Sequence, residues 1–579
     1  MGLRPSDTRE REIVSGKTRA GIAGIVGAVV AFGVAELVHG LYSSVPSVFV
    51  ALVQGIIEFT PGELVTRGIE ILGQADIPFL ITCTVIGALA FSAALAILAV
   101  RRPVLALIGV GVLAAIGVAA SLAQPFAAPV PTIVTVVGAL ALGAILTETL
   151  LRVSGLRSGK PAVSETAPPA GSPDDPSSPV VRSRGAYSSG GTAVGRGGFL
   201  LLGGGAVVAG LAALGVGRVL AGRGAQASSE PKPLNLPESP AAKPAQGGGG
   251  SSEGGKEGGA QKVAKHETLP PPPEDASIDV TGMPDLITPA SSFYLIDTAL
   301  VSPRIDVNTW KLSVKGAVDN PVEFSYKDLL GMSTRESDIT LSCVSNPVGG
   351  GLVSNGRWSG VLLSEVLAEA GVSRDKITRA SQQLVGRSVD GFTAGFRTDI
   401  ALDGREALVA FGLNGSELPL KHGYPVRLVV PGLYGYVSAT KWLSEIELTN
   451  WNFDAYWIQR TWSKEGPVKT QSRIDTVQDG AQISAGKTPI GGIAWAPHRG
   501  IERVEVSTDG GATWNETRLA KQLALDTWRQ WVYDWDANPG QYTLQVRATD
   551  GEGETQTAKQ APPHPSGASG YHTVGVTVA

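Results

Sequence analysis

The residues able to do chemistry lie in two short stretches of the C-terminal half. Cys343 stands in DITLSCVSNPVGG, where the β-rich run from Ile339 to Leu341 meets a change of composition to Asn, Pro and Gly. That pattern predicts a strand end opening into a loop, a rigid base from which a side chain can act. A thiolate there is a soft ligand, suited to a redox metal rather than to magnesium or calcium. A lone Cys is nonetheless more often a small core residue. The second stretch, LPLKHGYPVRLVVPGLYGYVSATKWLSEIEL from Leu418, sets His422, Arg427 and Lys441 around two glycine-containing turns. Arginine offers a planar fork and lysine a point charge, so together they suit an anion such as a phosphate. His422 taken alone reads as readily as a structural hydrogen-bonder as a ligand contact.

The elements that must hold these residues are mixed. Trp310 to Val318 alternates like a strand, Leu362 to Ala370 has helical spacing, and Tyr424 to Val430 reads as a buried strand ending at Pro431-Gly432. Beyond residue 470 the pattern changes. IERVEVSTDGGATW is an alternating strand, a turn at Asp509-Gly510-Gly511 and the start of a second strand, and QYTLQVRATDGEG repeats the design. Short strands with turn signals at this spacing predict an antiparallel β-sandwich of immunoglobulin-like kind. The expected division is an α+β catalytic domain over 285–460 and the sandwich over 461–579.

Cys343 in LSCVSN, followed by HGYPVRLVVPGLYGYVSATKW, resembles the sulfite oxidase family of molybdenum enzymes. The likeness continues through SRIDTVQDG and GGIAW to VSTDGGATW, which looks like the family's C-terminal dimerisation domain. It covers about residues 290–579, with the motifs in the family's order. The resemblance implies that Cys343 supplies the single protein thiolate to molybdenum. It implies that Asn346, His422, Arg427 and Lys441 hold the molybdopterin and its phosphate. Phe293 and Tyr294, in SSFYLIDTAL, fall where the family's N-terminal loop lies on the pterin. It also implies a homodimer through the C-terminal domain.

The chain departs from the family where the family places arginines near the metal. Asn346 is followed by Pro347 and Val348; GYVSAT precedes the Lys-Trp pair; Leu295, Ile296 and Asp297 follow the aromatic pair; and Phe392 stands for a tyrosine. Desolvating an anion without compensation is costly. The expected substrate is therefore neutral or weakly charged, a sulfoxide or N-oxide rather than sulfite. Arg357, Arg387 or Arg397 could enter the pocket from another direction; each by itself reads more readily as a surface charge.

The N-terminal part of this 579-residue chain is of another kind, and the net charge of -4 averages two unlike halves. Residues 1–222 read as a helical membrane domain, with spans near 20–42, 77–100, 103–123, 130–151 and 199–220. Val48 to Phe59 is too short to span and leads through Pro61-Gly62 into an amphipathic piece, as in a re-entrant or interfacial segment. Lys and Arg gather before the first span, at Arg101-Arg102, and from Arg152 to Arg196. With five spans all three groups fall on the cytoplasmic side, which places the catalytic domain outside the cytoplasm of a bacterial cell. Glu36, His39 and Glu58 are the few ionisable groups near span ends, read equally as functional or interfacial.

Residues 153–198 and 223–284 read as flexible Pro/Ser/Gly-rich linkers, the second a tether. His39 is the single His of the membrane half and Cys-x-x-Cys-His is absent, so no haem is expected and a separate cytochrome or quinone-linked partner would carry electrons. GRGGFLLLGGG before the last span carries Arg196 without an adjacent second arginine, so it is not a regular twin-arginine export signal. No basic stripe suggests nucleic acid. Two other functional classes compete with the enzyme: a non-catalytic binding module on the same fold, against which Cys343 argues, and a transporter with an accessory domain, against which the apolar span centres argue.

Overall fold

The computed structural model describes residues 5–42, 44–72, 75–124, 127–157, 196–227, 233–234 and 265–579. Most of the 153–198 loop and of the tract from 228 to 264 lies outside the described residues. The chain divides into two compact units, residues 1–59 with 72–224, and residues 60–71 with 225–579.

The first unit is helical: α1 (Pro5–Leu41), α2 (Val48–Phe59), α4 (Asp76–Arg101), α5 (Pro103–Leu122), α6 (Pro129–Val153) and α7 (Arg196–Ala227). The amphipathic α3 (Gly62–Leu72) groups with the second unit. Among the described residues five helical stretches are long and apolar enough to cross a membrane: Gly16–Leu41, Ile77–Arg101, Pro103–Leu122, Pro129–Val153 and Gly198–Ala221. Pro103 and Pro129 each open a helix, where their missing N–H is not needed.

Small residues bring these helices into backbone contact. A Cβ placed on Gly27 would lie 2.5 Å from the Gly143 carbonyl oxygen, on Gly33 2.2 Å from that of Gly210, and on Gly40 2.3 Å from that of Gly217. Residues 33 and 40 meet 210 and 217 in ascending order, so α1 and α7 run parallel. Gly27 meets Gly143 while the Thr147 hydroxyl donates to the Ala23 carbonyl at 3.3 Å, so α1 and α6 run antiparallel. In an apolar surrounding such close approach replaces the hydrophobic drive that lipid cannot supply. At the end of α1, Glu36 is buried and accepts a hydrogen bond from the Ser47 hydroxyl at 2.5 Å, and the His39 ring lies 2.7 Å from the Val45 carbonyl. Both tie α1 to the start of α2.

The second unit holds two sheets over a shared core, then a two-sheet sandwich. Its first part contains β1 (His266–Glu267), β2 (Lys311–Gly316), β3 (Val322–Ser325), α8 (Tyr326–Leu330), β4 (Thr334–Ser342), β5 (Val353–Leu362), α9 (Leu363–Glu369), β6 (Gln383–Ser388) and β7 (Thr393–Arg397). It continues with β8 (Leu408–Leu413), β9 (Ser416–Glu417), β10 (Arg427–Val429), α10 (Gly435–Ser438) and β11 (Leu443–Thr449). One sheet runs β1-β4-β5-β8-β10 and the other β3-β2-β11-β6-β7. Leu312, Leu384 and Ile446 of the second sheet pack with Val361, Phe411 and Leu428 of the first and with Leu363 and Leu367 of α9. The strand expected over 424–430 shortens to Arg427–Val429, because Pro425 has no N–H to give to a ladder.

The C-terminal part pairs β12 (Gln471–Ile474), β14 (Gly486–Trp495), β18 (Arg529–Ala537) and β17 (Arg518–Leu519) in one sheet. The other joins β13 (Ala481–Ile483), β20 (His572–Val578), β19 (Gly540–Asp550), β15 (Ile501–Ser507) and β16 (Asn515–Glu516). Ile490 and Trp531 meet Val504, Val546 and Val574 between them. The turn after β15 has Gly510 and Gly511 at φ 73° and 94°, and the Asp509 carboxylate accepts from the Ser507 hydroxyl and the Thr513 N–H.

One sequence expectation needs correcting. Residues 265–284 are not a free tether: β1 pairs in parallel with Thr334 and Arg335, Arg335 bridges Glu267 and Glu406, and Ala276 and Ile278 are buried. Proline content suggested a linker, but tertiary partners supply the order that local sequence lacks.

The helix crossings give a first prediction. Gly33→Val should destabilise the detergent-purified protein by about 1–3 kcal/mol through overpacking against α7. Gly87→Val, where no atom lies within 4 Å, should leave it unchanged in the same thermal melt. Equal melting of the two variants would show that the α1–α7 crossing is not tight.

Candidate active site

Strand β4 is buried along most of its length and ends one residue before Cys343. The loop that follows is stapled to itself. The Cys343 N–H donates to the Leu352 carbonyl at 2.9 Å, the Asn346 N–H to the Cys343 carbonyl at 3.1 Å, and the Leu352 N–H to the Asn346 side-chain oxygen at 2.8 Å. Asn346 therefore fixes the loop and does not line the cavity beside it, whereas Cys343 does. Burial pushes the Cys343 thiol up, while the N–H and hydroxyl of Ser345 act in the opposite direction by favouring the thiolate. Both cysteines are free, Cys83 exposed and Cys343 buried.

The facing wall comes from the segment between β9 and β11. A short 3-10 turn, Leu420–His422, ends at Gly423 with φ 111°, a left-handed conformation suited to glycine. There His422 is buried, with its Nε2 3.1 Å from the Ala290 carbonyl. Burial first, then the charges of Arg427 and Lys441, hold its pKa down at about 3, so the ring is neutral and Nε2 carries the proton it donates. Phe293 lies edge-on to His422 and Trp358 at 5.7 and 5.4 Å and stacks with Tyr294 at 5.8 Å. The Tyr294 N–H is anchored on the Ser354 hydroxyl at 3.0 Å.

Arg427, at the start of β10, is buried and its guanidinium lies 5.0 Å from the Trp358 ring centre. It donates to the His422 and Leu428 carbonyls at 3.1 and 3.3 Å and forms no ion pair among the described residues. Burial pulls its pKa down to about 10. Lys441 pairs with Asp297, donates to the Lys421 carbonyl at 3.2 Å and sits 5.1 Å from the Trp442 ring. Burial lowers Lys441 to about 8 and raises Asp297, despite their mutual attraction. Desolvation thus disfavours charge on both partners, and an anion brought to this wall would favour the charged lysine.

Phe293, Tyr294, Cys343, His422, Arg427 and Lys441 therefore line one cavity, although 148 positions separate the first from the last. Phe392 lines it as well. Arg357, Arg387 and Arg397 do not: Arg357 forks onto Asp338, Arg387 pairs with Glu445 and Glu447, and Arg397 with Asp399. Among the lining residues Arg427 is the sole arginine, and Asp297 and Asp390 bring carboxylates. The sequence motifs also missed an aromatic side of the cavity, Tyr436, Trp457 and Trp462. The available signal was the density of tryptophan in WNFDAYWIQRTW, residues 451–462, at the expected domain boundary.

The residues present suit a molybdopterin. A buried thiol and a buried guanidinium without a carboxylate partner share the cavity, which calls for a soft metal at one end and an anion at the other.

Comparison with known proteins agrees. Residues 299–457 match the family described as the oxidoreductase molybdopterin binding domain, and residues 464–561 match the Mo-co oxidoreductase dimerisation domain. Mitochondrial sulfite oxidase of Rattus norvegicus is 32% identical over 271 residues, covering 40% of this chain and 49% of that one. Mitochondrial sulfite oxidase of Homo sapiens is 30% identical over 302 residues, covering 45% and 55%. This chain spans about half the length of these curated relatives. Among solved structures, the sulfane dehydrogenase SoxCD from Paracoccus pantotrophus aligns with a TM-score of 0.45 and 24% identity, covering 52% of this chain and 83% of that one. Residues 299–561 thus carry consecutive matches to the molybdopterin-binding and dimerisation domains of molybdopterin oxidoreductases, and this part of the chain is similar to the sulfite oxidases.

Proposed function

We propose that this protein is a membrane-anchored molybdopterin oxidoreductase acting on a small oxygen-bearing substrate outside the cytoplasm, a sulfoxide or N-oxide rather than sulfite. The observation that carries the reading is the placement of Cys343 and an unpaired Arg427 on one buried cavity. In it Cys343 is the protein thiolate on the metal, and Arg427, Lys441 and His422 hold the pterin and its phosphate. Phe293 and Tyr294 lie against the pterin, and Asn346 acts one step back, by holding the Cys343 loop. When bound, the cofactor supplies two-electron oxygen-atom transfer. The chain supplies a desolvated setting, a neutral His422 whose ring is fixed by its Nε2–H bond to the Ala290 carbonyl, and aromatic walls beside the metal site.

The choice of substrate rests on charge. Arg427 is the one arginine of the lining, and Asp297 and Asp390 face an incoming ligand, so an oxyanion gains little to offset its desolvation. The membrane reading rests on the five apolar helices and on the parallel run of α1 and α7, which suits an odd number of spans. Together with the Lys/Arg distribution, this favours the catalytic domain on the extracytoplasmic side. The matched dimerisation domain supports a homodimer through residues 461–579, whose sandwich we read as immunoglobulin-like. Electrons are exchanged with a separate cytochrome or quinone-linked partner. The domain limits follow: 1–222 anchors, 285–460 binds the cofactor, and 461–579 dimerises.

The test is molybdenum content, by elemental mass spectrometry, of the full chain purified from a cofactor-competent host. Near-stoichiometric molybdenum is expected, with an electronic absorption band lost in Cys343→Ser even where metal is retained through the pterin. A folded protein holding neither molybdenum nor pterin would exclude the enzyme.

Arg427→Met separates cofactor binding from folding. Losing hydrogen bonds from a charged donor worth about 1.5–3 kcal/mol should cut molybdenum content roughly tenfold or more. The cofactor-free variant should melt no lower than the cofactor-free parent, because a desolvated unpaired charge has been replaced by an apolar chain. A variant with full molybdenum content would remove Arg427 from the cofactor site.

A further inference from the structure

We propose that Arg473, in the C-terminal sandwich, is a positioning residue for the Cys343 sulfur, acting through the glycine tip of the Cys343 loop. This deepens the function proposed above and rests on its reading of Cys343 as the metal's thiolate. The loop reaches its tip at Gly349-Gly350-Gly351. Three consecutive glycines bring no side chains to pack and the widest backbone freedom of any residue. A metal ligand needs partners that orient it, so order at such a tip has to come from other elements.

The sandwich supplies it. Arg473, in β12, donates from Nη1 to the Gly350 carbonyl at 2.7 Å, across 123 positions of sequence. Asp475 aims the guanidinium by accepting from its Nε at 2.7 Å, and both side chains are largely buried. Beside them, the Cδ2–Nε2 edge of the His572 ring lies where a Cβ on Gly349 would stand, and Gly349 has φ 75°. The ring is itself fixed, because the Ile474 N–H donates to its Nδ1 at 3.0 Å. The same domain grips the strand that leads into Cys343. The Trp528 N–H donates to the Thr340 hydroxyl at 2.7 Å, and the Thr340 N–H donates to the Asp526 carbonyl at 2.9 Å. Cys343 thus sits between two attachments to the sandwich, one on each side of it in sequence. At the glycine tip the hydrogen bond comes from a guanidinium, and hydrogen bonds from charged donors are the stronger kind.

The test uses the full chain in a Cys83→Ser background, which leaves Cys343 as the one thiol. Arg473→Met is combined with Asp475→Asn, so that no buried carboxylate is left unpaired. Arg547→Met, which breaks a pair with Glu505 elsewhere in the sandwich, is the control. In cofactor-free protein, labelling of Cys343 by a small disulfide reagent should rise about tenfold in the double variant, the loss of one hydrogen bond from a charged donor. In molybdenum-loaded protein, the Cys343-dependent absorption band should shift. Arg547→Met should match the parent in both. Arg473→Lys keeps a cation for Asp475 without the fork; it should fall between parent and double variant, and it decides the matter if the double variant does not fold. Unchanged labelling, or an equal rise in Arg547→Met, would overturn the proposal, because the tip would then be held without Arg473 or opened by general loss of stability. Faster labelling with an unmoved band would also overturn it, because the sulfur's place at the metal would not depend on the tip. A parent protein without molybdenum would instead refute the function itself, and this inference with it, whatever the labelling shows.

Discussion

An unpaired guanidinium buried beside a thiol is the constraint on which the catalytic unit turns. Arg427 reaches two backbone carbonyls and the face of Trp358, feels the charge of Asp297, and forms no ion pair among the described residues. Removing such a charge from water is expensive, and hydrogen bonds to carbonyls offset only part of it. The fold bears that expense by fixing the surroundings: β10 carries Arg427 in the sheet, His422 is held by the Ala290 carbonyl, and Phe293 fills the angle between His422 and Trp358. A site strained toward an anion in this way is organised for a cofactor that brings its own negative charge.

The opposite wall obeys a different rule. Cys343 needs a fixed position more than it needs a charged neighbour. The loop from Cys343 to Leu352 closes through the side chain of Asn346 and through backbone bonds that keep the sulfur at the end of β4. Between the two walls the aromatic side adds rings without adding charge. Arg427 and Lys441 remain as the cationic groups of the lining, because Arg357, Arg387 and Arg397 are all spent on carboxylates elsewhere.

The helical unit is governed by close approach. Where Gly33 and Gly40 of α1 meet Gly210 and Gly217 of α7, each missing side chain is room for the neighbouring backbone. The repeat of seven residues on both helices keeps these contacts on one face of each. A composition that reads simply as apolar therefore hides a specific crossing.

The sequence by itself determined the elements and the chemistry within each. The five apolar helices follow from length and composition, the strands over 311–316 and 501–507 from alternation, and the Cys343 and Arg427 motifs from order and spacing. Such signals are local, so they are legible in one dimension. Tertiary structure alone decided which side chains share the cavity. Asn346 and Cys343 are three residues apart, yet one fixes the loop and the other faces the pocket, because a loop turns neighbours in different directions. Trp457 and Trp462 had no motif to announce them, and residues 265–284 had a composition that argued for disorder. Their roles come from partners distant in sequence, and burial against such partners can be read only once the chain has folded.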